Sequence, residues 1–257
     1  MAKRKMTAII HEHTELASGI FSLWLKTDFA KEAKAGQFLG VFLKDKSKIL
    51  ARPISICDVD AKSNLLRMVY RTAGEGTREL STYKKGQTVE ILGVLGNGYD
   101  ISLVEGKKVL LIGGGIGIPP MLLSAKSVPG EKEIVLGYAN EDLFLKEEFE
   151  AVAPTHIATM DGSVGTKGTV LDAIKEKEIR ADVIFACGPM PMLRAIKAYA
   201  QENHMTAYIS LEERMACGVG ACLGCVCKTV EKDHHTHVNN TRICVEGPVF
   251  NAADVDI

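Results

Sequence analysis

The chain has 257 residues, 46% of them hydrophobic and 25% charged, with a net charge of -1. That balance excludes a disordered polar chain and offers no basic stripe for nucleic acid. Apolar runs such as Val109–Ile112 are far too short to span a bilayer. The basic start, Met1 to Met6, is followed by no apolar h-region, because His11, Glu12 and His13 interrupt at once, so a signal peptide is not expected.

Residues 1–100 read as all-β. Apolar and β-branched stretches recur at Thr7–Ile10, Ile20–Leu25, Gln37–Leu43, Leu65–Tyr70 and Thr88–Leu92. Ala35-Gly36, Lys85-Gly86 and Gly96-Asn97-Gly98 separate them, a spacing that predicts a barrel or sandwich. Gly76 to Leu80 reads as a turn entering a short helix.

Residues 101–208 alternate strands with helices. Strands are predicted over Lys108–Ile112, Glu133–Tyr138, His156–Met160, Asp182–Ala186 and Ala207–Ser210. Helices are predicted over Met121–Lys126, Asp142–Ala151, Val170–Lys177 and Met190–Asn203. The alternation means βαβ units and a parallel sheet. Residues 209–257 hold five of the seven cysteines and almost no helical periodicity. So short a segment needs a metal or disulfides to hold its shape. The fold class is therefore multi-domain: an antiparallel β-barrel, a parallel-sheet α/β domain and a small C-terminal cysteine domain.

The cysteines carry the most specific chemistry. Cys217, Cys222 and Cys225 form C-x4-C-x2-C, the spacing of plant-type [2Fe–2S] ferredoxins. Cys244, the one cysteine after Cys227, supplies the fourth thiolate by elimination. Gly218, Gly220 and Gly224 let the chain wrap closely around the sulfurs. The same thiols would also serve a structural zinc, although such sites usually show two C-x2-C pairs and only Cys222/Cys225 forms one. Cys227 is an alternative ligand. His234, His235 and His237 lack the C-x-H pairing of a Rieske centre and read as a solvated hairpin tip. Clustered thiols of this kind belong in a reducing compartment, so the cytoplasm is expected.

Two glycine motifs point to a nucleotide. Gly113-Gly114-Gly115-Ile116-Gly117 follows one apolar strand and opens a helix, where a phosphate can approach the backbone. Cys187-Gly188-Pro189 ends another. In an open parallel sheet both lie beyond the carboxyl ends of the strands, where ligands bind. Glu141 and Asp142, after the second strand, suit a ribose hydroxyl and repel a 2′-phosphate, which favours NAD over NADP. In the β domain, Arg52 and Ser55 suit a pyrophosphate and a flavin edge, and Gly74 to Thr77 offers a second phosphate cradle.

Together these motifs resemble, in order, the ferredoxin–NADP⁺ reductase superfamily. With the cysteine segment added, the whole chain resembles the electron-transfer subunits of bacterial dihydroorotate dehydrogenase B. The resemblance implies FAD against the barrel, contacted by Arg52, Pro53, Ile54, Ser55, Val69, Tyr70 and Arg71, with Gly76 and Thr77 on its pyrophosphate. It implies NAD across Gly113, Gly114, Gly115, Gly117, Cys187, Gly188 and Pro189, and a [2Fe-2S] cluster on Cys217, Cys222, Cys225 and Cys244. It also implies a partner, an FMN-containing catalytic subunit that oxidises dihydroorotate to orotate in pyrimidine biosynthesis, in a heterotetramer of two of each. Electrons would pass from that FMN through the cluster and FAD to NAD⁺, and no acid–base residue for the pyrimidine is expected here. Similar subunits serve NAD(P)H-linked ferredoxin and sulfide oxidoreductase complexes, so the partner stays open at this point.

Overall fold

The computed structural model describes residues 3–232 and 237–257. Six antiparallel strands close a barrel in the order β1-β2-β5-β4-β3-β6. They are β1 (Arg4–Ala17), β2 (Ile20–Lys26), β3 (Phe38–Phe42), β4 (Arg52–Asp60), β5 (Leu65–Arg71) and β6 (Thr88–Leu95). β1 is longer than its apolar run because it serves two neighbours. Residues Arg4–Ile9 pair with β6 and Ile9–Ala17 with β2, and a bulge after Ile10 bends the strand between them. Leu23, Leu25, Leu39, Ile56, Leu66, Met68 and Ile91 fill the barrel and are fully buried.

One strand of the barrel has no counterpart among the predicted stretches. β4 carries Pro53 near its start, which reads as a strand breaker. Proline is tolerated there because it sits at the second residue, opposite Gly40, and the strand continues to Asp60. The short helix is α1 (Glu75–Ser81), with Thr77 Oγ1 accepting the amides of Ala73 and Gly74 at 2.9 and 3.1 Å.

A seven-stranded sheet follows, in the order β10-β9-β8-β7-β11-β12-β15. Its strands are β7 (Val109–Gly114), β8 (Lys132–Tyr138), β9 (Thr155–Thr159), β10 (Thr166–Lys167), β11 (Val183–Cys187), β12 (Thr206–Ser210) and β15 (Val249–Asn251). Every residue of β7 and β11 is buried, as befits central parallel strands covered on both faces. The helices are α2 (Ile118–Ser127), α3 (Lys146–Glu150), α4 (Val170–Glu176) and α5 (Met190–Glu202). α2 begins earlier than its periodicity indicates, because Pro119 and Pro120 occupy the first turn, where a missing N–H costs nothing. α3 is shorter than the predicted Asp142–Ala151. Leu145 precedes it with φ +67°, a left-handed conformation no helix can pass through.

The chain builds β7, β8, β9 and β10 outward, then crosses back to place β11 on the other side of β7. The crevice beyond β7 and β11 is thus the topological switch point of the sheet. The C-terminal segment adds a small hairpin, β13 (Val226–Lys228) and β14 (Asn240–Arg242), before β15 joins the sheet edge antiparallel to β12. Barrel and sheet are joined through Tyr99, which stacks on Phe185 at 4.4 Å and donates its hydroxyl to Ala186 O at 2.9 Å. Among the described residues, no helix is long and apolar enough to cross a membrane.

Candidate functional site

A cavity of about 540 Å³ opens where barrel, sheet and C-terminal segment meet. That volume lies within the range of cofactor pockets. The barrel wall consists of Arg52, Pro53, Ile54 and Ser55 from β4, with Val69, Tyr70 and Arg71 from β5. Thr77 of α1 closes one end. Gly76 stands just behind, not on the wall. Its absent side chain makes room for Arg52, whose Nε would lie 2.3 Å from a Cβ at that position. Arg52 Nη1 also donates to the carbonyls of Leu50 and of Lys48, so its cation is held by neutral groups.

The far wall was not legible in the motifs. It comes from Ser210 to Met215, immediately before the cysteine loop, with Pro248 and Ile116. Glu212 lines the cavity and remains exposed at its mouth. Crowding by protein atoms raises its pKa, and the Arg71 guanidinium opposes that shift. The Leu211 amide donates to Pro248 O at 2.9 Å, which fixes this wall against the end of the chain.

The two glycine motifs meet in the switch-point crevice. Gly113 pairs in register with Cys187. A Cβ on Gly117 would lie 2.4 Å from Cys187 O, and one on Gly114 or Gly188 would strike Met192. These glycines therefore answer first to the packing of one loop on the other. Gly115 differs: it is exposed, has φ +53° and nothing within 4 Å of a Cβ, so its backbone is open to a ligand. Ile116, from the same loop, lines the cavity, so the switch-point crevice and the cavity adjoin. Pro189 caps α5. Cys187 is fully buried and does not line the cavity. Burial raises its pKa, the Glu212 carboxylate adds to this, and the Ser210 hydroxyl opposes it.

The four predicted ligands converge in two pairs. Cys217 hydrogen-bonds to Cys222, and Cys225 to Cys244. Cys225 and Cys244 are buried at 2% and 0% exposure, while Cys222 is exposed. No three His, Cys, Asp or Glu side chains among the described residues converge as ligands of a single ion. Two pairs of thiols suit a two-iron cluster better than one tetrahedral zinc. Burial raises the pKa of Cys217, but hydrogen bonds from the Val219 amide, the Cys222 thiol and the Cys222 and Ala221 amides outweigh it and bring it to about 6. The sulfur lies 3.4 Å from Val219 N and 3.3 Å from Ala221 N. Such donors favour the thiolate that binds metal. Gly218 and Gly220 have φ of +67° and +85°, while Gly224 instead donates its amide to Cys222 Sγ at 3.4 Å.

Cys227 lies on β13, is partly buried against apolar side chains, and has its pKa pushed up by burial to about 11. Cys225, two residues away, adds to that shift. The histidine run falls between β13 and β14: His237 is exposed, and His234 and His235 lie outside the described residues. Cys217 packs over the barrel in a groove it shares with Phe38, Pro53 and Met215, and these three also line the large cavity.

Residues 212–256 match the family described as the iron-sulfur cluster binding domain of dihydroorotate dehydrogenase B. The chain is 42% identical to the dihydroorotate dehydrogenase B (NAD(+)) electron transfer subunit of Fusobacterium nucleatum subsp. nucleatum, covering 96% of this chain and 97% of that one. The subunit of the same name from Bacillus velezensis is 40% identical, with 98% and 99% covered. Among solved structures, a chain of the NADH-dependent reduced ferredoxin-NADP oxidoreductase superposes with a TM-score of 0.87 at 29% identity, covering 97% of this chain and 89% of that one. A ferredoxin NADP⁺ reductase from Neisseria gonorrhoeae shares the fold at 13% identity, with a TM-score of 0.66 over 77% of this chain and 91% of its own. Full-length identity at this level assigns the chain to the family of dihydroorotate dehydrogenase B (NAD(+)) electron transfer subunits.

Proposed function

We propose that this chain carries electrons from a catalytic partner subunit, which oxidises dihydroorotate to orotate on its own FMN, to NAD⁺. Bound flavin and iron–sulfur cluster supply the chemistry: single electrons through the cluster, and hydride exchange between flavin and nicotinamide. Arg52 to Ser55, Val69 to Arg71, Gly76 and Thr77 hold FAD. Gly113, Gly114, Gly115, Gly117 and Cys187 to Pro189 hold NAD. Cys217, Cys222, Cys225 and Cys244 hold the [2Fe-2S] cluster. The functional units are residues 1–100, 101–208 and 209–257, and the assembly is a cytoplasmic heterotetramer of two subunits of each kind.

One observation carries the reading: Phe38, Pro53 and Met215 are shared by the large cavity and the groove holding Cys217. The cysteine loop is thereby in van der Waals continuity with the proposed flavin wall. Cys222 is exposed, with Leu223 beside it 64% exposed, which leaves the outer pair of thiols facing a partner. Within the chain, Arg52, Arg71 and Arg214 line the cavity together with Glu212 and Glu213, and the Arg71 guanidinium acts on the Glu212 carboxylate.

The test uses the purified complex under anaerobic conditions. In Cys222→Ser, NADH is expected still to bleach the flavin, while dihydroorotate no longer reduces NAD⁺. Survival of both reactions overturns the relay. Co-purification with a ferredoxin- or sulfide-linked flavoprotein instead of a dihydroorotate-oxidising one would move the chain to the related complexes that the 29% identical neighbour represents.

A further inference from the structure

His13, on β1, has both ring nitrogens engaged. Nδ1 lies 2.8 Å from Tyr83 O, and Nε2 lies 2.9 Å from the Tyr70 hydroxyl. A carbonyl oxygen can only accept, so Nδ1 carries the proton. In the neutral ring Nε2 then accepts from the Tyr70 O–H, and the partners fix one tautomer. Burial lowers the His13 pKa, the Tyr83 carbonyl opposes that, and Lys84 reinforces it, so the ring stays neutral. Aromatic contacts hold the same group: His13 to Phe21 at 5.6 Å, and Phe21 stacked on Tyr70 at 5.9 Å.

The position of this imidazole matters more than its chemistry. Tyr70 is 3% exposed and sits between Val69 and Arg71 on the β5 wall of the large cavity. Tyr83 follows α1, the helix whose Thr77 also lines that cavity. One side chain therefore bridges the two elements between which the flavin is proposed to lie. No sequence motif marks it.

We propose that His13 is a positioning residue for the flavin: it ties the Tyr70 side chain of β5 to the Tyr83 main chain after α1 and so sets the spacing of the cavity walls. The inference rests on the reading that this cavity holds FAD. Without the imidazole, a buried hydroxyl loses its acceptor and a carbonyl its donor, and the walls are free to relax. Binding then has to restore the spacing, which weakens it.

The experiment titrates the deflavinated full-length chain with FAD, read by flavin fluorescence quenching and by the visible circular dichroism of the bound flavin. His13→Ala is expected to bind FAD about tenfold more weakly, with altered dichroism. His13→Gln can donate to the carbonyl and accept from the hydroxyl, and is expected to stay within about threefold of the parent. In a Tyr70→Phe background, the alanine substitution should add less than about threefold, because the two residues act as one unit. Parental affinity in His13→Ala, or the same tenfold loss in both backgrounds, overturns the inference. If His13→Ala does not fold, Tyr70→Phe and His13→Gln carry the test, and unchanged FAD affinity in Tyr70→Phe overturns it. A parent chain that takes up no FAD overturns the cavity assignment itself, before any variant is compared.

Discussion

Arg67 of the barrel points its guanidinium at Glu148 of the parallel-sheet domain, with Nη1 2.9 and 2.7 Å from the two carboxylate oxygens. The arginine is 7% exposed and its Nε donates to Ser22 Oγ at 2.8 Å, so it is anchored in β2 and β5 before it reaches across. A second cross-link, Lys126 Nζ to Asp58 Oδ2 at 2.5 Å, runs in the opposite sense of charge.

Glu148→Ala leaves a largely buried cation without its counter-charge. The expected cost is about 2 kcal/mol, below the value for a fully buried pair because the Glu148 side chain is 40% exposed. The urea midpoint of the full chain measures it. Arg67→Met, which keeps an apolar stem over Trp24, should cost less than Glu148→Ala. An unchanged midpoint for Glu148→Ala would mean the pair contributes nothing to holding the two domains together.

Gly117→Ala tests the nucleotide crevice. The new methyl meets the Cys187 carbonyl at 2.4 Å, and backbone cannot turn aside as a side chain can. We expect FAD to be retained while NADH reduces it at least tenfold less efficiently, as stopped-flow bleaching would show. Gly115→Ala meets no neighbour. It carries only the cost of a left-handed alanine, about 1–2 kcal/mol.

Glu79 sets an acid limit on the barrel. Burial pushes its carboxyl up, yet the Tyr83 hydroxyl at 2.7 Å, the Asp45 amide at 3.1 Å and the Lys48 ammonium at 2.9 Å outweigh this and hold it at about 2. Because its folded pKa lies below the ordinary 4.5, its contribution is fully present above pH 4.5 and is lost as pH falls toward 2. Thermal melts of Glu79→Gln should lie below those of the parent at pH 7 and converge with them on acidification through that window.

Arg242 braces the cysteine loop. Its Nη1 donates to Gly220 O at 3.1 Å while Glu246 holds its other face. Arg242→Ala should lower the iron and sulfide bound per chain and leave FAD content unchanged. Equal iron in variant and parent would show that the loop keeps its shape unaided.

Much of this molecule could be read residue by residue, and the exceptions have physical causes. β-branched runs marked most of the barrel, but Pro53 hid β4, since a strand that opens on proline looks broken in one dimension. Asp142 to Leu145 carried helical composition, yet the left-handed Leu145 ends any helix there. The barrel motifs shared a cavity because β4 and β5 are neighbours on one barrel face. The wall from Ser210 to Met215 carries no ligand motif, and only the fold brings it beside the β4 and β5 residues. His13 was equally silent, because its two partners are 57 and 70 residues away in sequence.

The cysteine segment departs from β12 at Ser210, and Val249 of β15 returns to pair with that same residue. Residues 211–248 are therefore a closed excursion, stapled at both ends to one edge of the sheet, and Asn97 adds a third tie by donating its amide to Gly247 O at 2.6 Å. Both ends of the excursion are thus fixed to the body that carries the cavity wall. On the proposed relay, the path from cysteine loop to cavity is therefore built into the fold, through Phe38, Pro53 and Met215. Thickening the solvent with sucrose should slow the meeting of separate molecules and leave transfer inside an assembled complex untouched.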